Sequence, residues 1–536
     1  MKHGIITAPQ PEAVEAGADV LASGGNAVDA AIATALVQTA VDPQMCGIAG
    51  FGSMHIYMPE TQTHQVLDFH GRAPSAATPD MWEHLVLGEA EDGFGFILKG
   101  RENECGYGAI TTPMSLKAYD TALARFGTMS LGDLMEPAID YAENGFLVRP
   151  HVHEFWHNPP IAGRMGYVEL MTKFPATRAI YTDNTGTLHG IGHKLVNRDL
   201  ANTYRRIQKH GPDDFYTGSI SREIVADMKT NGGMISAQDL ADVSVTPNAP
   251  LWGSYRGHRI ATNPPPGGGA MILEMLNILE KFDLAAMGHN SPAYIATVSE
   301  AMKIATIDKD RHLGDPNFMD IPLDHLTSKT YAADRADEVR RGIKATVPRM
   351  NAGDRESKDT THISVADAHG NCVALTHSLG MPSGVVTDGL GFMYNGCMAV
   401  FDPRPGNPGS IVPGKARFSA MCPTIIFKDD KPVLVIGAPG GTYITMGVLQ
   451  AILNVIDFGM TAQEAVAAPR FCTTSDVIDI TNRILRSTQR DLEAMGYEVR
   501  RNARSYNFAG VHAVRNDGGN WDGGADPARD GMALKI

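Results

Sequence analysis

A short polar segment, Asp359-Thr360-Thr361-His362-Ile363-Ser364-Val365, has the residue types of a self-processing junction with Thr360 as the nucleophile. A threonine hydroxyl is a weak nucleophile at neutral pH and needs an adjacent base. Cleavage between Asp359 and Thr360 would expose the α-amino group of Thr360, whose pKa of roughly 7.7–8.0 lies near working pH. One cleavage would therefore create both the nucleophile and its base. The alternative is an ordinary β-strand, because β-branched residues with alternating apolar side chains are typical of strands.

The residues after the junction predict a β-hairpin that would position Thr360. A strand over 360–366 leads into the turn segment 367–371, which contains Asp, Gly and Asn, and a second strand follows over 372–378. If the hairpin closes symmetrically about the middle of its turn, Thr360 lies opposite Ser378. Directly opposed side chains have Cβ atoms roughly 4.5–5.5 Å apart. Ser378 is therefore a candidate hydroxyl partner for Thr360, and a one-residue slip would remove this pairing.

The remaining patterns place helices before the junction, and strands followed by helices after it. Such an order predicts an α+β fold of two stacked sheets flanked by helices. Glu136-Pro137 predicts a helix start, because proline is favoured at the first helical position. The predicted helices cover 11–22, 27–39, 270–281, 445–455, 462–467 and parts of 115–145, and further strands cover 423–427 and 432–436.

Composition excludes several classes of function. The chain has 536 residues, of which 43% are hydrophobic and 20% charged, as expected of a soluble globular protein with a large core. A net charge of −14 without a long basic run argues against nucleic-acid or anionic-membrane binding. The six scattered cysteines are predicted to be reduced thiols. No apolar leader and no run of ~18 apolar residues is present, so we expect a cytoplasmic protein.

No motif predicts a cofactor or a metal. The glycines form neither a dinucleotide-binding fingerprint nor a phosphate-binding loop, so nucleotide binding has no support in the sequence. His151, His153 and His157 are close together, but their spacing is not a standard zinc pattern. We interpret that segment as a solvated helix start or loop.

Six segments, in matching order, resemble the gamma-glutamyltransferase family. The resemblance implies the four-layer αββα sandwich of N-terminal-nucleophile hydrolases and an amide as the small-molecule substrate. It also implies a precursor that splits into a large subunit, 1–359, and a small subunit, 360–536, which share one core; a homo-oligomer of these heterodimers is compatible with it. The segments are Gly24-Gly25-Asn26-Ala27-Val28-Asp29-Ala30-Ala31, Pro264-Pro265-Pro266-Gly267-Gly268-Gly269, His312-Leu313-Gly314-Asp315-Pro316, Thr360-Thr361-His362, Met421-Cys422-Pro423-Thr424 and Ala438-Pro439-Gly440-Gly441.

The resemblance assigns roles residue by residue. Thr360 Oγ would attack first the Asp359 carbonyl and then the substrate amide, giving an acyl-enzyme. Gly440 and Gly441 match the family's oxyanion-hole pair, a task that backbone N–H groups of glycine can perform without side-chain interference. For the glycine pair alone, a simple turn is the alternative interpretation. Ser378 stands where the family usually has a second threonine that bonds the nucleophile.

The substrate pocket departs from the family pattern. His70 stands in place of the arginine expected to bind the glutamyl α-carboxylate, and Arg72, two residues later, is either a replacement carboxylate clamp or a structural arginine. Asn395 and Ser419 remain as candidate substrate-binding residues. Small or apolar residues replace polar ones at four further positions: Gly380, Cys397, Val400 and Ala420.

The replacement at Val400 has the clearest consequence, because an acid there would hold the substrate's ammonium. Burying an ammonium against valine without a counter-charge costs several kcal/mol. We therefore expect an amidohydrolase for an acyl group that carries a carboxylate but no α-ammonium, with oxamate amidohydrolase as the nearest functional model in the family. The alternatives are a γ-glutamyl hydrolase or transferase acting on glutathione or related amides, and an uncleaved, non-catalytic paralogue.

Overall fold

The computed structural model describes residues 2–90, 93, 95–160, 163–349, 360–503 and 508–536. In this part of the chain the strands are β1 (Gly4–Ala8), β2 (Phe51–Met58), β3 (Thr63–Phe69), β4 (Val86–Glu89), β5 (Phe96–Leu98), β6 (Phe146–Leu147), β7 (Lys194–Leu195), β8 (Thr246–Asn248), β9 (Leu251–Tyr255), β10 (His258–Thr262), β11 (Thr361–Asp367), β12 (Cys372–Ser378), β13 (Pro382–Val386), β14 (Met393–Asn395), β15 (Thr424–Lys428), β16 (Lys431–Gly437), β17 (Phe471–Cys472), β18 (Val477–Ile480), β19 (Glu498–Arg501), β20 (His512–Asp517), β21 (Asn520–Ala525) and β22 (Met532–Lys535).

The α-helices of the described ranges are α1 (Pro11–Ala22), α2 (Ala27–Val41), α3 (Ser115–Phe126), α4 (Leu131–Asn144), α5 (Pro150–Trp156), α6 (Tyr167–Thr172), α7 (Pro175–Tyr181), α8 (Arg198–His210), α9 (Asp213–Tyr216), α10 (Ser219–Thr230), α11 (Ala237–Ala241), α12 (Gly269–Leu279), α13 (Leu284–Met287), α14 (Pro292–His312), α15 (Leu323–Leu326), α16 (Lys329–Arg340), α17 (Ile444–Ile456), α18 (Ala462–Ala467) and α19 (Arg486–Ala494). None of these helices combines the length and the apolar character needed to cross a membrane.

Two antiparallel sheets form the centre of the molecule. The first has the order β22-β1-β11-β12-β2-β3-β8, and the second has the order β21-β20-β16-β15-β10-β9. Residues before and after position 360 contribute strands to both sheets. The two parts of the chain therefore share one core, and neither forms a separate domain.

Three hydrophobic layers hold the sheets and helices together. The outer face of the first sheet packs against α1, α2 and α3, and the outer face of the second packs against α12 and α17. Between the sheets lies a smaller core with Val435, Ala366 and Val514 among its members. The order helices, sheet, sheet, helices is the αββα arrangement, so the predicted α+β class and the sandwich architecture are confirmed.

Local sequence explains the first helices and corrects one predicted boundary. The Asn26 side chain accepts hydrogen bonds from the N–H groups of Val28 and Asp29, which caps α2. The predicted helix start at Glu136-Pro137 is wrong, because Pro137 lies inside α4. That helix begins earlier, where the Ser130 side chain accepts the Asp133 N–H at 3.1 Å, and this cap outweighs the proline signal.

Several histidines are buried beside the central strands. Burial, with His377 nearby, lowers the pKa of His362 from 6.5 to about 3, and burial lowers the pKa of His377 to about 3 as well. Burial and the neighbouring His362 likewise hold the pKa of His512 well below its usual value. These imidazoles are therefore neutral in the folded protein across the physiological pH range.

Acid should destabilise the fold through these histidines. Their folded pKa values are depressed, so their contribution to stability is complete above about pH 6.5 and is lost as pH falls toward about 3. For one such histidine the loss at pH 5 is at most ~2 kcal/mol. We expect the difference between the denaturant midpoints at pH 7.5 and pH 5 to be smaller in His377→Gln than in the unmodified protein. The exposed-site control His210→Gln should keep the full difference; an equal pH dependence in both variants would contradict this account.

Candidate active site

The β11–β12 hairpin positions the predicted nucleophile. Thr361 pairs with His377, and the same register continues along both strands, so Thr360 lies opposite Ser378. Thr360 Oγ1 donates a hydrogen bond to Ser378 Oγ at 3.1 Å, and the Thr360 side chain is almost completely buried. The hairpin register predicted from the sequence is therefore confirmed.

Ser378 Oγ joins the predicted nucleophile to the next turn of the chain. It also accepts the backbone N–H of Gly380 at 2.7 Å. Gly380 has a φ of +76°, in the left-handed region that favours glycine. Two donors therefore converge on one hydroxyl oxygen, and this fixes the side chain against which Thr360 rests.

A buried polar network supports the hairpin from the helix side. Gln38 on α2 donates its Nε2 hydrogen to Thr361 Oγ1 at 2.9 Å and accepts the Nε2–H of His377 at 2.8 Å. Tyr119 donates its hydroxyl hydrogen to Nδ1 of the same imidazole at 2.7 Å. Both ring nitrogens of His377 are therefore engaged by partners other than Thr360.

On the opposite face of the hairpin, both ring nitrogens of His362 also have hydrogen-bond partners. Its Nδ1 lies 2.7 Å from Thr376 Oγ1 and its Nε2 lies 2.9 Å from Ser364 Oγ. The histidines nearest Thr360 in sequence and across the hairpin are thus used for structure. Neither imidazole is arranged to take the proton of the Thr360 hydroxyl.

The second sheet directs the Gly440-Gly441 segment toward the same end of the hairpin. Val435 on β16 shares the inter-sheet core with Ala366. Two residues later, a Cβ at Gly437 would lie only 2.2 Å from the ring of His362, so only glycine fits there. The chain of β16 therefore runs toward the start of β11, where Thr360 lies.

Gly440 and Gly441 follow directly after this strand. Both have positive φ values, 141° and 56°, and a 3-10 turn over Gly441–Tyr443 leads into α17. Both values lie in the left-handed region that favours glycine. Their role as oxyanion-hole donors remains a prediction, and the Thr360 end of the hairpin is where such donors are needed.

The side chains of Asp68, His70 and Ser419 form a hydrogen-bonded chain of a carboxylate, an imidazole and a hydroxyl. The Nδ1 of the buried His70 ring lies 2.5 Å from Asp68 Oδ1, and its Nε2 lies 2.7 Å from Ser419 Oγ. Burial raises the pKa of Asp68, but the charge and hydrogen bonds of His70 more than offset this and hold it below its usual value. The ionised Asp68 therefore orients His70, and His70 orients Ser419.

The structure gives Arg72 and Asn395 different surroundings from those expected. Arg72 pairs with Thr112 and Ala416 through its backbone, and its guanidinium donates to Thr246 Oγ1 at 3.5 Å. Arg72 lines a separate surface pocket. The proposed carboxylate clamp at Arg72 therefore does not share the cleft lined by Ser419. The Arg72 side chain lines that separate pocket and is not among the residues that line the cleft.

Asn395 supports the site from behind. Its Nδ2 donates to the carbonyl oxygens of Ala49 and Thr111, both at 2.9 Å, and its Oδ1 accepts the N–H of Thr111 and the N–H of Cys397. Because the protein occupies both ends of this amide, the geometry corrects the expectation of direct substrate binding. Asn395 instead joins the segments of Ala49, Thr111 and Cys397 to one another.

A cleft of about 530 Å³ opens at Ser419, the last residue of the hydrogen-bonded chain from Asp68. Val400, where an acid would be expected, lines it, and so does Ser419. The described lining is rich in charge, with ion pairs such as Arg349–Asp310 at 2.7 Å. The remaining lining residues include Lys309, Arg311, Arg404, Arg417, Phe418, Ala420 and Thr442.

Two residues, one predicted from the sequence and one not, remain to be placed. Asp359, the residue before the predicted cleavage point, lies outside the described residues. Arg417 was not among the residues predicted from the sequence, although it lies only two positions before Ser419 and lines the cleft.

Within the described residues, no group of three or more His, Cys, Asp or Glu side chains is arranged to hold a metal ion.

Comparison with known proteins gives the family. The gamma-glutamyltranspeptidase family model matches residues 13–536. The chain belongs to the gamma-glutamyltranspeptidase family. This confirms the resemblance drawn from the motifs.

The relatives of this family member include both acylases and glutathione hydrolases. Acylase ACY 1 proenzyme from Pseudomonas sp. (strain V22) is 36% identical over all of this chain and 94% of its own length. Glutathione hydrolase proenzyme from Bacillus subtilis (strain 168) is 33% identical over 100% of this chain and 92% of its own. The crystal structure of cephalosporin acylase from Bacillus halodurans has a TM-score of 0.88 at 27% identity, covering 99% of this chain and 96% of that one. The chain is thus an amide hydrolase of the N-terminal-nucleophile type.

Ser378 offers a direct test of the hairpin geometry. In Ser378→Ala the Thr360 hydroxyl loses its hydrogen bond to Ser378, and we expect kcat to fall about fivefold, which corresponds to the ~1 kcal/mol of an ordinary hydrogen bond. Ser378→Thr keeps a hydroxyl at the same Cβ and should retain most of the activity. Steady-state amide hydrolysis by the two variants checks this. An unchanged rate in Ser378→Ala would mean that the observed hydrogen bond is not used in turnover.

Proposed function

We propose that this gamma-glutamyltranspeptidase family member cuts itself between Asp359 and Thr360 and then hydrolyses amides through an acyl-enzyme on Thr360. The observation that carries the proposal is the Thr360–Ser378 hydrogen bond at the start of β11. His362 and His377 are engaged elsewhere, which favours the new α-amino group of Thr360 as the base. Two relatives are named as proenzymes, which also supports maturation from a precursor.

The proposed reaction follows from these groups. The α-amino group takes the proton of Thr360 Oγ1 as the oxygen attacks the amide carbon. The N–H groups of Gly440 and Gly441 stabilise the oxyanion, and the protonated amine then gives its proton to the leaving nitrogen. Water, activated by the same amine, attacks the ester. The products are a carboxylic acid, the released amine or ammonia, and the regenerated Thr360.

We further propose that the acyl donor carries a carboxylate but no α-ammonium, as in oxamate or a longer dicarboxylic monoamide. Support comes from Val400, an apolar side chain lining the cleft where an ammonium would need an acid. Ser419, oriented by His70, supplies a polar contact on the same cleft. The resemblance to glutathione hydrolases keeps a γ-glutamyl amide as the second candidate.

A substrate panel separates these candidates. We expect kcat/KM for the best of oxamate, succinamate and glutaramate to exceed that for glutamine and glutathione at least tenfold, because an unpaired ammonium costs about 1.4 kcal/mol or more. Ammonia release or amine release measures each rate. Glutathione or glutamine outperforming every amine-free amide would restore the γ-glutamyl function. A single band on a denaturing gel, with no hydrolysis of any substrate, would instead favour the uncleaved, non-catalytic paralogue.

A further inference from the structure

We propose that Arg417 is the specificity-determining residue of the cleft and that its guanidinium binds the carboxylate of the acyl donor. The inference rests on the proposed function and deepens it, since it replaces Arg72 as the cation that selects the substrate. Arg417 lies two residues before Ser419, lines the same cleft, and has only 4% of its surface exposed.

Neighbouring groups hold the guanidinium in one orientation. Its centre lies 4.7 Å from the ring centroid of Phe51, within the range of a cation–π contact. One of its nitrogens, Nη1, donates to the carbonyl oxygen of Phe418 at 3.1 Å. A guanidinium keeps its charge in proteins even when buried, so Arg417 places a fixed positive charge in the wall of the cleft.

The small residues around Arg417 explain why this cation fits. A Cβ at Gly380 would lie 2.7 Å from Cys397 Sγ and 3.5 Å from Arg417 Nη2, so a larger side chain there would displace the thiol and crowd the guanidinium. Cys397 and Gly380 are also positions where the sequence has small residues in place of the polar ones expected from the resemblance. We interpret the two replacements as one change. Gly380 and Cys397 lack the polar side chains expected there, and the Arg417 guanidinium occupies the space that those side chains would need.

The same glycine connects Arg417 to the proposed nucleophile. On one side the Gly380 N–H donates to Ser378 Oγ at 2.7 Å, and Ser378 in turn accepts from Thr360. On the other side the Gly380 Cα faces Arg417. The fixed charge is therefore separated from the Thr360–Ser378 pair by a single residue, which suits a short acyl chain with a terminal carboxylate.

Charge and shape then define the substrate class. The planar guanidinium can hold a carboxylate with two parallel N–H bonds, and Ser419 Oγ offers a further polar contact. The same positive charge repels an ammonium, and Val400 offers it no counter-charge. Arg417 and Val400 together thus favour dicarboxylic monoamides over α-amino acid amides.

The test compares Arg417→Gln with a matched arginine of the same cleft rim. Arg404 is the control, because it is 41% exposed and its guanidinium is paired with Asp402 at 2.7 Å. For Arg417→Gln we expect kcat/KM for the best carboxylate amide to fall by about 10- to 100-fold, as for hydrogen bonds to a charged group. Self-cleavage and hydrolysis of a neutral amide, n-butyramide, should change less than about threefold. Arg404→Gln should change none of these rates by more than that.

A binding measurement keeps the inference testable without turnover. By calorimetry, succinate or glutarate should bind the unmodified enzyme at least tenfold more tightly than Arg417→Gln, while Arg404→Gln binds like the unmodified enzyme. Arg417→Lys, which keeps the charge but not the fork, should lie between them. The inference is overturned if Arg417→Gln binds these acids normally, if no such acid binds the unmodified enzyme, or if Arg72→Gln causes the loss instead. Failure of the proposed function would look different: the unmodified enzyme would hydrolyse no amine-free amide, whatever it binds.

Discussion

The register of the β11–β12 hairpin is the constraint on which the site depends. Because successive side chains of a strand point to opposite faces, a slip of one residue would exchange every inward and outward contact of this hairpin. Thr360 would then lose Ser378, Thr361 would lose Gln38, and His362 would leave its place between the sheets. The two flanking strands β1 and β2 fix the register from both sides. The geometry around Thr360 and Ser378 is therefore a consequence of strand pairing in the central sheet.

The hairpin was predictable because all of its determinants are local. A five-residue turn with Asp, Gly and Asn, between two strands of equal length, allows one symmetric closure, and this closure brings Ser378 to Thr360. Helices α1 and α2 were predictable for a similar reason, since proline begins the first helix and Asn26 caps the second. The layer order followed from the blocks along the chain, with helices before residue 360 and then strands followed by helices after it.

The substrate side of the cleft was not predictable in the same way, because its contacts join residues distant in sequence. Arg72 and His70 are two positions apart, yet His70 reaches Ser419, 349 residues away, while Arg72 points to another pocket. Nothing in the sequence near Asn395 indicates that its amide is fully used by the protein. Arg417 could have been noticed, because an arginine directly before the Ser419 segment coincides with the loss of polar side chains elsewhere in the cleft.

The central claim, that Thr360 carries the acyl group after self-cleavage, is tested most directly by the mass of the small fragment during turnover. Enzyme mixed with its best amide and quenched in acid should contain a fragment of residues 360–536 that is heavier by one acyl group, and peptide mapping should locate the addition on Thr360. Thr360→Ala should remain a single chain of 536 residues without the addition. An acyl group on a different residue such as Ser419, or cleavage and acylation in Thr360→Ala, would contradict the account.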